Sequence, residues 1–158
     1  MKELKTNPKI LLVGIGNYDW GDDSLGWSFV DRVVSQGYDF LDYQYRYKLK
    51  PEDAELLSKY DVVVFVSGSG EKLSQGFEMS SCMIARHAFF SENDQAPAAI
   101  LHLANKLYNS CPKAYILKIS GAEWGLQSYL SREANKNMET AIEFFEEQFL
   151  PSVLAVTA

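Results

Sequence analysis

Cysteine and histidine are scarce, with two of each in 158 residues. Cys82 and Cys111 stand far apart and form no CxxC pair. That argues against a disulfide framework or a cysteine-rich zinc site, and it fits free thiols in a reducing compartment. His87 and His102 are isolated, and no HExxH pattern surrounds either one. Basic charge is thin as well: 15 Lys and Arg face 21 Asp and Glu, for a net charge of −6. With no dense basic run, the chain lacks the footprint that nucleic acid or an anionic membrane surface requires. No apolar run is long enough to span a bilayer. The charged opening, Met1 to Lys9, leads into a strand and does not resemble a signal peptide. A soluble cytoplasmic protein is therefore expected. Nucleotide and hydrolase signatures are missing too. Gly14-Ile15-Gly16 would need a third glycine at position 19, where Asp19 would repel a pyrophosphate. No Gly-Lys-Ser/Thr follows, and Ser67 lacks the leading glycine of a nucleophile elbow.

What is present is apolar, periodic and long enough for one domain over 1–158. Hydrophobic residues make up 47% of the chain, and a chain of this length buries roughly two thirds of its unfolded surface. Lys9 to Val13 and Asp61 to Val66 read as buried parallel-type strands. Phe40 to Tyr47 reads as an aromatic-rich strand, Ala114 to Ile119 as another, and Phe77 to Met83 as a further candidate. Helical spacing marks Leu25 to Val34, stopped by Gly37, and Pro97 to Leu107. A helix start at Lys50-Pro51-Glu52-Asp53 should run to Lys59. Ser131 should cap a long helix to Leu150. Ser67 to Gly70 reads as a turn and Gly121 to Leu130 as a loop. Alternating strands and helices predict an α/β fold: a single-domain three-layer sandwich with a twisted, mostly parallel sheet and helices on both faces.

The most informative stretch is Ile10 to Gly26. An apolar strand runs into a loop holding Gly14, Gly16, Gly21 and Gly26 with the adjacent carboxylates Asp22 and Asp23. Ligands of open α/β sheets bind at the carboxyl ends of the strands, where such a loop would lie. Two readings fit the paired acids. One of them caps the helix that follows, or the pair caps the helix and also serves a cation or polar-ligand site. His102, inside Ile100 to Ala104, reads as an ordinary helix position.

These residues resemble the hydrogenase maturation proteases, small cytoplasmic α/β enzymes that trim the C-terminal tail of nickel-containing hydrogenase large subunits. The likeness rests on Gly14-Ile15-Gly16-Asn17 followed by Gly21-Asp22-Asp23-Ser24-Leu25-Gly26. It continues through Leu49 to Glu52, Asp61 to Val66, Leu101 to Gly121, and Leu130-Ser131. The resemblance implies that Asp23 is the catalytic, metal-contacting acid and that Gly16, Asn17 and Asp22 adjoin the substrate. It places the two other metal-contacting positions at Ser67 and at Asn93, with Asp94 beside the latter, where the family carries an acid and a histidine. A carboxylate with a hydroxyl and an amide is a weak donor set for a transition metal; with Asp94 included, a harder ion becomes an option. Little bound transition metal is therefore expected, and any divalent metal involved would be the substrate's own nickel.

Two functions compete on these residues, while a third, a small-molecule or phosphate-binding domain on the same fold, has no motif behind it. One is a peptidase acting on the tail of a metal-loaded hydrogenase large-subunit precursor. The other is a non-catalytic protein that binds a hydrogenase subunit or related partner on the same fold. The glycine loop with its two acids favours the first, and the altered ligand positions favour the second.

Overall fold

The computed structural model describes residues 8–83 and 96–156. Five strands form one sheet: β1 (Ile10–Ile15), β2 (Leu41–Arg46), β3 (Val62–Ser69), β4 (Phe77–Ser81) and β5 (Lys113–Ser120). Their order is β2-β1-β3-β5-β4. Strands β2, β1, β3 and β5 run parallel, and β4 joins the far edge antiparallel to β5. The two most apolar strands, β1 and β3, are central, because strands covered on both faces need apolar residues at successive positions. Ile10 to Val13 and Val62 to Val66 are all buried.

Helices cover both faces. On one lie α1 (Leu25–Val34), α4 (Arg132–Phe144), α5 (Leu150–Val156) and the turn between the last two, packing Phe29, Val30, Met138, Phe145 and Phe149 against Leu12, Val64 and Leu117. On the other lie α2 (Asp53–Leu57) and α3 (Ala96–Tyr108), packing Ala54, Leu57, Ile100 and Ala104 against Leu11, Val63 and Phe65. The three-layer α/β arrangement matches the sequence expectation.

Two elements differ from it. Ser67 to Ser69 belong to β3 and are not a turn. Their backbone groups join the ladder to β5 as far as Ser69 opposite Ser120, so pairing overrides the turn propensity of Ser and Gly. The final helix also does not stop at Leu150. It widens into a π turn at Phe145–Phe149 and continues as α5. Pro151 has no N–H for the Glu147 carbonyl and its ring crowds that oxygen, so the ladder adjusts in the turn just before it. Phe145 and Phe149 remain buried through the π turn, with ring centroids 5.4 Å apart.

Candidate functional site

The glycine loop folds back over the carboxyl ends of β1 and β3. Asp22 and Asp23 lie in a 3-10 turn, Gly21–Ser24, immediately before α1. Two glycines allow the close approach. A Cβ on Gly26 would lie 2.4 Å from the Val66 carbonyl oxygen and 2.5 Å from that of Ile15, so only glycine lets α1 start directly on the strand ends. A Cβ on Gly16 would lie 2.1 Å from the Asp23 carbonyl oxygen. That same oxygen accepts the Asn17 N–H at 3.1 Å. The Asn17 side chain is occupied locally, its Oδ1 accepting the Asp19 N–H at 2.9 Å. Gly16 and Asn17 therefore hold the backbone of Asp23 in place.

The adjacent acids have opposite environments. Asp22 is fully buried. Its carboxylate accepts the N–H groups of Ala122 (2.6 Å), Glu123 (2.8 Å) and Ser131 (2.8 Å), and the Ser131 hydroxyl at 2.6 Å. Burial alone would raise its pKa. The Ser131 hydroxyl and the three N–H groups outweigh that and hold it below the ordinary carboxylate value. Ser131 Oγ in turn accepts the Ala134 N–H at 3.1 Å, capping α4. Asp22 thus clasps the 121–131 loop and the start of α4 to the glycine loop.

Asp23 is half-buried, and its carboxylate has no hydrogen bond or ion pair with the described residues. Burial raises its pKa above the ordinary value. Neither acid caps α1 through its side chain. Both sequence readings have one of the acids cap α1, and the fold uses neither for that.

Ser67 is half-buried on β3 opposite Ile15, one residue before Gly16, which places it at the same sheet edge as Asp23. His102 is half-buried in the middle of α3. Asn93, Asp94 and His87 lie outside the described residues. Among the described residues, no group of three His, Cys, Asp or Glu side chains could hold a metal ion. Asp23 with Ser67 supplies one anionic donor and one neutral oxygen, which does not fit a resident transition metal.

Sequence reasoning missed the rim of this edge. Trp20 (48% exposed) bridges to Gln127, Leu126 (77%) and Tyr129 (66%) project from the loop that Asp22 holds, and Trp124 (39%) lays its ring edge over Gly68 and Gly121. Four large apolar side chains on adjoining loops form the kind of surface that marks a protein-interaction site. Their concentration in a segment read only as a loop was the available signal.

No protein-family model matches the chain, and no curated protein matches it in sequence. Solved structures do match. The hydrogenase-maturating endopeptidase HybD of E. coli is similar with a TM-score of 0.70 at 16% identity, over 91% of this chain and 93% of that one. The hydrogenase maturation protease HycI of Thermococcus kodakarensis follows with a TM-score of 0.68 at 18% identity, over 89% and 92%. A hydrogenase 2 maturation peptidase from a Thaumarchaeota archaeon gives 0.65 at 18% identity, over 89% and 97%. With the same fold found over nearly the full length of each, this chain has the fold of the hydrogenase maturation endopeptidases.

Proposed function

We propose that this chain is a divergent hydrogenase-maturation-type endopeptidase that acts on the C-terminal tail of a metal-loaded hydrogenase large-subunit precursor. The observation that carries this reading is the position of Asp23. It is a half-buried carboxylate without a partner among the described residues, at the carboxyl edge of a sheet shared with such endopeptidases. Burial without a partner makes its ionised form costly, and an approaching cation relieves that cost. In this reading the cation is the substrate's own metal, so Asp23 senses the loaded precursor, and the exposed rim of Trp20, Trp124, Leu126 and Tyr129 receives the partner's surface.

A second reading, a binding protein or chaperone for a hydrogenase subunit, is favoured by one observation. Among the described residues, Asp23 has no second carboxylate or imidazole with which to form a three-donor set. Incubating the purified chain with a nickel-loaded precursor separates the two. Release of the tail, detected by mass spectrometry, supports the endopeptidase. Stable capture of an uncut precursor supports the binding protein.

A further inference from the structure

We infer that the cleft at the carboxyl end of β2 binds an acidic, extended peptide segment laid along the free edge of that strand. The inference deepens the reading above, since it rests on the chain taking a peptide tail.

The cleft, about 450 Å³, is lined by Trp27, Tyr45, Arg46, Tyr47, Lys48 and Lys50. Its aromatic wall is fixed in place. Trp27 Nε1 donates to the Arg46 carbonyl at 3.0 Å, and its ring lies 5.8 Å from that of Tyr45 and 5.1 Å from that of Tyr47. Behind it, Asp31 accepts the hydroxyls of both Tyr18 and Tyr45. Burial, reinforced by Asp31, pushes the Tyr18 phenol up to about 12, so it stays a donor. A rigid aromatic wall offers contact area with little ordering cost.

Charge selects the occupant. The chain as a whole carries −6, yet three cationic side chains meet here. Arg46 is held by the buried Asp53, with Nε donating to Oδ1 at 3.1 Å. Lys48 and Lys50 are exposed and have no ion-pair partner among the described residues. Two unpaired lysines beside an anchored arginine complement carboxylates.

Backbone geometry selects the shape. Among the described residues, β2 is an outer strand of the sheet and pairs only with β1. The carbonyls of Phe40 and Arg46 accept from Ile10 and Gly16, so even-numbered residues turn their backbone polar groups inward. By alternation, Tyr43 and Tyr45 turn theirs to the open side, where an added strand would pair. The cleft also adjoins the site: the Arg46 carbonyl is bonded to Gly16, over which Asp23 is seated.

The test uses the full chain and a fluorescently labelled peptide alternating Glu with Val. Its controls are a Gln-for-Glu counterpart and a version N-methylated on alternate amides. The Glu peptide should bind. The Gln counterpart, the N-methylated peptide, and the Lys48→Glu/Lys50→Glu variant should each weaken binding by at least about tenfold, with the variant's circular dichroism unchanged. Equal binding by that variant, or displacement of the peptide by polyphosphate at matched charge, would overturn the assignment. A chain that processes or captures the nickel-loaded precursor but ignores the Glu peptide leaves the functional reading standing and removes the cleft inference. Binding of the peptide through Lys48 and Lys50 with no precursor captured or cut does the reverse.

Discussion

Asp22 and Asp23 are neighbours in sequence with opposite physical roles. Asp22 accepts four hydrogen bonds in a fully buried setting. An amide in its place would turn a donor toward donors. Asp22→Asn should therefore lower unfolding stability by about 2–4 kcal/mol in urea titrations. Its depressed pKa sets the pH dependence. The stabilisation is fully present above the ordinary value of 3.8 and is lost as pH falls through the lower folded-state value. Asp23 has the opposite sign. Its raised pKa means ionisation opposes folding, so its contribution is most favourable below 3.8 and is lost as pH rises through the folded-state value. Asp23→Asn should leave neutral-pH stability unchanged or improved, and comparing the two variants' melts at neutral pH checks both statements. With one anionic donor at the site among the described residues, calorimetry with nickel or zinc should show weak binding; submicromolar affinity that disappears in Asp23→Ala would contradict this. The sequence marks both acids as site candidates but cannot tell them apart. What separates them lies 100 to 109 residues beyond Asp22, in Ala122, Glu123 and Ser131.

At the level of elements, legibility follows how locally each element is determined. Strands β1 and β3 are readable because their unbroken apolar runs suit only a doubly covered position. Helix α1 is readable from its spacing and from Gly37, whose φ of +75° suits a helix stop. The extension of β3 through Ser69 is set by its partner β5, and the π turn by Pro151 acting on the turn before it, so neither follows from a window of residues. Two predictions belong here. Ser131→Ala removes the cap of α4 and one bond to Asp22, and should cost about 1–3 kcal/mol of stability. Gly26→Ala forces a Cβ into the carbonyls of Ile15 and Val66. It should destabilise by about 3 kcal/mol or more, or prevent folding, as read by chemical denaturation.

For the whole molecule, the fold brings three features to one side: Asp23, without a partner among the described residues, a rim of exposed aromatic and aliphatic side chains, and a cleft whose two lysines have no ion-pair partner among the described residues. The glycine loop supplies the first. The second depends on Asp22 holding a loop distant in sequence, and the third on an edge strand whose open side only the sheet order reveals. Action on a metal-loaded precursor through Asp23 is the claim that unites them. It is tested most directly by incubating the native chain and Asp23→Asn with the same nickel-loaded hydrogenase large-subunit precursor and following release of the C-terminal tail by mass spectrometry. The native chain should release the tail, and Asp23→Asn, folded and at least as stable, should be slower by about a hundredfold or more. Equal release by the two proteins would contradict it.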